Sequence, residues 1–177
     1  TCALGDCPAF IEVELSKGTA LRKTAASLPD MSGLREPEQV ARAGTGYRIL
    51  APGIGGTGVV TINAILATAA AMDGLEVISL DQTGLAQKGG AVVSHLVVSE
   101  RRLPAAARIN AGNADLVLGF DLVGVMQPDN LKCAEAERTA AVVNTRLIPT
   151  AEAVRKRLPM GDAAHQLARL EQYTRRG

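Results

Sequence analysis

The rhythm of apolar and polar positions changes near residue 47. Upstream, Phe10–Leu15 is a single short strand-like run. Residues 16–45 then scatter Lys, Ser, Thr, Pro and Gly with little periodicity, which predicts a linker or an extended wrapping segment. From Tyr47 onward the pattern is regular. Runs rich in Val, Ile, Leu and Ala predict strands at Tyr47–Ala51, Leu75–Asp81, Gly89–Ser99, Ala114–Phe120 and Thr139–Thr145. Between the first two lies a helix, Thr57–Met72, in which Val59, Ile62, Leu66, Ala69 and Ala70 form an apolar stripe. Gly74 is placed to stop it. Shorter helices are expected at Asp121–Gln127 and Pro128–Glu137. A charged surface helix is expected at Asp162–Gly177, with Asp162 as N-cap and Glu171 paired to Arg175 at i,i+4.

Strand, helix, strand alternation predicts an α/β, Rossmann-like domain: a mainly parallel sheet flanked by helices, preceded by an extended cysteine-bearing segment. The Gly89–Ser99 strand follows another strand without room for a full helix, so its direction stays open. The organisation expected is therefore 1–15 as the cysteine segment, 16–45 as the linker, 46–160 as the α/β domain and 161–177 as a terminal helix.

Composition sharpens this picture. The 177 residues suffice for one good core but not for two full domains. Hydrophobic residues make up 47% and aromatics 2%, so the core must be built from Ala, Val, Leu and Ile, as suits a buried sheet under Ala-rich helices. A net charge of +1 gives no reason to expect nucleic acid, and the shortage of aromatic rings removes base-stacking platforms. No apolar run reaches the length of a membrane span and no signal segment opens the chain. Three cysteines, Cys2, Cys7 and Cys133, cannot all pair, which makes a reducing cytoplasm the expected compartment. The chain starts at Thr1 rather than Met and reads as a piece of a longer polypeptide or a trimmed form.

The first candidate chemistry is the loop Gly53-x-Gly55-x-x-Gly58 between the first strand and the first helix. In a turn of this kind Gly53 lets the chain leave the strand, Gly55 lets backbone approach a ligand, and Gly58 lets the helix sit close to the sheet. The free N–H groups at the helix start carry roughly half a positive charge and favour an anion. Thr57 adds a hydroxyl. Asp81 ends the next strand, 23 positions beyond Gly58, where a ribose-binding acid would stand; helix capping or turn formation is its plainer role. Glycine-rich turns also close without any ligand. His95 lies in a strand among apolar neighbours and is expected to be a hydrogen-bonded core residue, with His165 at the surface.

Three further segments follow the loop in fixed order: "DQTGLAQKGGAVVSH" (Asp81–His95), "ADLVLGFDLV" (Ala114–Val123) and "AVVNTRLIPTAE" (Ala141–Glu152). Over roughly Gly46–Glu152 the chain resembles the gamma-type domain of 2-oxoacid:ferredoxin oxidoreductases, most closely the long, fused indolepyruvate ferredoxin oxidoreductases. "CALGDCPAFIEVE" (Cys2–Glu14) is similar to the end of that enzyme's cysteine cluster. Phe120 departs from the family, where a small or thiol residue is usual, and beyond Glu152 the likeness fades.

The resemblance implies a thiamine-diphosphate-dependent enzyme that decarboxylates an arylpyruvate, passes electrons through 4Fe–4S clusters to ferredoxin and forms an acyl-CoA. The thiamine-binding domains are expected elsewhere in the polypeptide, so no catalytic residue is expected here and the isolated fragment should hold no cofactor. The implied role is to help bind coenzyme A, with Gly53, Gly55, Gly56, Thr57 and Gly58 at its phosphates. "QKGG" (Gln87–Gly90) would add Lys88, Gly89 and Gly90, although Lys88 reads equally well as a solvated charge. Cys2 and Cys7 become two ligands of a cluster that needs four, the others lying upstream. Cys133 reads as a structural or surface thiol. The implied partners are the other domains or subunits of the enzyme and ferredoxin, and a homodimer is left open. Two alternatives remain: an autonomous NAD- or FAD-binding module using the loop and Asp81, and a docking domain with an empty loop.

Overall fold

The computed structural model describes residues 32–33, 46–84, 89–104, 106–147 and 161–175. By its contacts the chain divides into Thr1–Glu38 and Gln39–Gly177, and the helices and strands described below belong to the second unit. In chain order they are β1 (Tyr47–Ile54), α1 (Val59–Met72), β2 (Glu76–Thr83), β3 (Ala91–Ser99), β4 (Leu116–Gly119), α2 (Leu122–Val125), α3 (Pro128–Leu131), β5 (Ala140–Val143) and α4 (Ala163–Leu170). The strand-like run at Phe10–Leu15, the linker at 16–45 and the cysteine segment lie outside the described residues, except Ser32 and Gly33, which form a turn.

The strands form one sheet in the order β2-β3-β1-β4-β5. β1 pairs in parallel with β4, and β4 with β5, whereas β3 runs antiparallel to both β1 and β2. Four strands thus share a direction and β3 alone is reversed. Chain length is the reason: seven residues, 84–90, join β2 to β3, and a parallel return needs a dozen or more. The five expected strands are all present. α2 and α3 are single four-residue turns, shorter than their sequence pattern predicts, because Gln127 and Pro128 interrupt the first and Lys132 caps the second. α4 starts where Asp162 caps it, the carboxylate accepting from the N–H of Ala164 at 3.1 Å. It stops at Leu170 rather than continuing to Gly177. Arg175 instead donates its backbone N–H to Thr139 at 2.7 Å, and the expected Glu171–Arg175 pair does not form.

α1 begins two residues later than the apolar run suggests, since Gly58 sits in the left-handed region at φ 89°. Its end is a Schellman motif: Gly74 N–H donates to Ala71 O and Leu75 N–H to Ala70 O, with Gly74 at φ 79°. The buried face differs from the expected stripe. Val59 and Asn63 are buried, while Ile62 is 38% exposed and Ile65 56% exposed. The helix is apolar nearly all round, so hydrophobic spacing alone could not choose its inward face. Asn63 does: its amide donates to Ser79 Oγ and Asp81 Oδ1, both at 2.9 Å.

The other side of the sheet carries the larger core, in which Leu50, Val117, Leu122, Val125, Leu131 and Leu170 pack with Cys133. Burying each such side chain contributes roughly 1.5–3 kcal/mol. Among the described residues no helix is long and apolar enough to cross a membrane.

Candidate functional site

The C-terminal end of β1, the start of α1 and the N-terminal end of β3 meet at the glycine loop. Gly53 is buried, and a Cβ there would lie 2.6 Å from Val59 Cγ2 and 2.8 Å from Phe120 Cβ. Gly53 is therefore the residue that lets the helix approach the sheet, the part expected of Gly58. A Cβ at Gly56 or Gly58 would meet nothing within 4 Å; these two serve by backbone conformation, at φ 98° and 89°. Phe120 helps make Gly53 obligatory and packs with Ala51, Val59 and Val92.

Gly55 is tied down rather than open. Its N–H donates to Gly90 O at 2.8 Å, which joins the loop to the segment before β3. The structure thus brings the first glycine cluster against Gly89 and Gly90, as a shared ligand would need. Lys88 lies outside the described residues, as do Cys2 and Cys7. Thr57 turns inward: its N–H and its hydroxyl both donate to Ile54 O, at 3.1 and 2.6 Å, leaving only its oxygen lone pairs to face outward. What stays open is backbone. The N–H groups of Gly56, Gly58, Val59, Val60 and Thr61 donate to no described residue, α1 has no side-chain cap, and no acid stands in its first turn. They border a cavity of about 300 Å³ lined by Ile54, the loop glycines and Val92. The arrangement suits an anionic oxygen cluster.

Behind the loop lies Asp121, fully buried, which the sequence reading passed over. Its Oδ1 accepts from Gly124 N–H at 2.6 Å, and its Oδ2 has no hydrogen-bond partner. Burial pushes its pKa up, opposed by the nearby backbone N–H groups of Gly124, Ile54 and Val123. Gly124 is needed here, because a Cβ would come within 3.2 Å of this carboxylate and of the Gly53 backbone. Its sequence signal was slight, an Asp directly after a strand and three residues before Gly124, an ordinary N-cap spacing.

Asp81 does not stand free beside the loop. Its Oδ1 accepts from Asn63 and from the Ser94 hydroxyl, so it ties α1, β2 and β3 together. His95 is 3% exposed. Its Nδ1 accepts from Ile109 N–H at 3.2 Å and its Nε2 lies 3.0 Å from Gln82 Oε1. Burial, then the charge of Arg108, pull its pKa down against Asp81, which favours the neutral ring. His165 is exposed. Cys133 is a buried free thiol 3.5 Å from Asp129 O and 3.6 Å from Ile109 O, and burial pushes its pKa up. Among the described residues no group of three or more His, Cys, Asp or Glu side chains could hold a metal ion.

The chain is similar to the indolepyruvate oxidoreductase subunit IorB of Archaeoglobus fulgidus, 32% identical over 102 residues, which are 56% of this chain and 47% of that protein. The IorB subunit of Methanothermobacter thermautotrophicus is 28% identical over 126 residues, 71% of this chain and 61% of its own. The chain therefore spans about half the length of the first of these relatives, at 47%, and 61% of the second. Among solved structures, the pyruvate oxidoreductase subunit PORC of Thermotoga maritima aligns at a TM-score of 0.46 and 23% identity, covering 63% of this chain and 55% of that one. The family model for pyruvate ferredoxin/flavodoxin oxidoreductase matches residues 48–170. That span runs from the second residue of β1 to the last of α4, taking in all the rest of the sheet and the glycine loop, and places the chain in the pyruvate ferredoxin/flavodoxin oxidoreductase family.

Proposed function

We propose that this chain is the gamma-type part of a 2-oxoacid:ferredoxin oxidoreductase acting on indolepyruvate or another arylpyruvate, and that its glycine loop binds the phosphates of coenzyme A. The observation that carries this reading is the open set of five N–H groups, on Gly56, Gly58, Val59, Val60 and Thr61, at an uncapped helix start with no acid in its first turn. Gly90, whose carbonyl accepts from Gly55 N–H, holds the Gly89–Gly90 pair beside the loop, and Lys88 would add a cation. Coenzyme A is preferred to NAD or FAD because Asp81, which a dinucleotide ribose would need, has its Oδ1 held by Asn63 and Ser94. In this reading thiamine diphosphate and the 4Fe–4S clusters that feed ferredoxin belong to the larger enzyme, with Cys2 and Cys7 as two ligands of one cluster. The exposed apolar residues of α1, Val60, Ile62, Ile65 and Met72, would then face its other domains or subunits.

A charge placed at the loop tests the reading. Thr61 is exposed in the first turn of α1 and lines the cavity, so Thr61→Glu sets a carboxylate beside the open N–H groups. An acid there favours the helix itself, so the melting temperature should hold or rise. Coenzyme A, titrated by calorimetry, should bind the unaltered chain saturably and the variant at least about tenfold more weakly, a loss of about 1.4 kcal/mol. Equal affinity would remove the loop from the site. Binding of NAD or FAD without coenzyme A would favour the autonomous module, and binding of none of them the docking role.

A further inference from the structure

On the face of the sheet away from α1 lies a second, larger cavity of about 730 Å³. The alternation of strand residues puts it there. Ser79 and Asp81 turn toward Asn63 of α1, so Gln82, which pairs with Val93 in the β2–β3 ladder, turns the other way. Gln82, Val93 and His95 form one wall, and the segment around Arg108 and Ile109 another. The size is that of a small-molecule site.

Its polar groups are ordered by one chain of hydrogen bonds. Ile109 N–H donates to His95 Nδ1, so the proton of the neutral ring must sit on Nε2. That Nε2–H donates to Gln82 Oε1. The Gln82 amide is thereby fixed with its oxygen toward the histidine and its NH2 group, which donates to no described residue, left for something else. Arg108 also lines the cavity and has no hydrogen bond or ion pair to a described residue. Lys132, at the rim, pairs with Asp129 at 2.6 Å, and Asp129 also feels the charge of Arg108, so these three leave the described lining with one net positive charge. Val93 and Ile109 supply apolar wall beside these donors.

From this geometry we propose that the cavity is a binding site for a small organic monocarboxylate with an apolar body, its carboxylate received by Arg108 and the Gln82 amide. A guanidinium and an amide NH2 both match the planar oxygens of a carboxylate. One net positive charge suits a monoanion better than a phosphate dianion. The buried Cys133 thiol beside the site is protonated and plays no covalent part.

The probes are phenylacetate, its uncharged analogue 2-phenylethanol, and inorganic phosphate, titrated against the full chain with binding read by chemical-shift changes of the Gln82 and His95 resonances. Phenylacetate should bind saturably, and the other two at least tenfold more weakly. Arg108→Gln removes the charge. Gln82→Glu keeps an acceptor for His95 Nε2–H but replaces the NH2 donors with a negative oxygen. Each should weaken phenylacetate at least tenfold while melting temperature and far-ultraviolet dichroism hold. Thr61→Glu, on the opposite face, should leave phenylacetate untouched, which separates this site from the glycine loop. No saturable phenylacetate binding, affinity unmoved by both cavity variants, or phosphate binding as tightly as phenylacetate would each overturn the proposal.

Discussion

A side chain at Gly53 would have to displace Val59 and Phe120, because a Cβ there falls 2.6 and 2.8 Å from their carbons. Gly53→Ala should therefore overpack the helix–sheet seam and cost about 1–3 kcal/mol in urea denaturation. Gly56→Ala tests the other kind of glycine: nothing crowds a Cβ there, and the loss should be about 1 kcal/mol, from φ 98° alone. His95 carries a pH dependence. Its pKa is lowered by burial and by Arg108 and raised less by Asp81, so the folded state holds its proton less firmly than the unfolded chain does. The unfolded state then binds more protons, and stability rises with pH across that window. The His95 contribution should be fully present above pH 6.5 and fade as pH falls from there through the folded value. Protonation also removes the Nδ1 lone pair that receives Ile109 N–H. His95→Gln should flatten the fall in melting temperature on acidification below pH 6.5; an unchanged slope would assign the acid sensitivity to other groups. The burial of His95 was legible from its apolar neighbours. Its two hydrogen-bond partners were not, since Gln82 and Ile109 stand thirteen and fourteen positions away.

At the scale of the element, α1 shows where pattern reading reaches its limit. Its length and its stop at Gly74 follow from local rules, and the structure agrees within two residues at its start. Its inward face does not follow, because Ala, Val, Ile and Leu surround the helix on nearly every side. A single buried amide sets the rotation. Asn63→Ala should leave Ser79 and Asp81 without that donor and cost about 1–3 kcal/mol of stability, measured by denaturant unfolding. Asn63→Asp, which keeps the shape but turns the donor into an acid facing Asp81, should be worse than Asn63→Ala. The same hydrogen bonds explain why Asp81, well spaced for a ribose, is structural: Asn63 and Ser94 reach it first.

Across the whole molecule, the sequence by itself determined what depends on neighbours along the chain. Strand and helix periods, the glycine loop between β1 and α1 and the α4 cap at Asp162 all express local backbone geometry, whereas the direction of β3 came only from its pairing in the sheet. Those features were enough for an α/β fold and for the family resemblance. Only the tertiary structure decided which donors are spent and which are free. Gly55 N–H is taken by Gly90, the Thr57 hydroxyl by Ile54, and Asp121 is sealed behind the loop, while five backbone N–H groups stay open. The large cavity is likewise a tertiary product, since β2, β3, the Arg108 segment and the stretch around α3 meet there from separate parts of the chain. The physical reason is range. Backbone periodicity is a property of a few adjacent residues, whereas a hydrogen-bond partner is chosen by distance in space, which packing sets only once the whole sheet has closed.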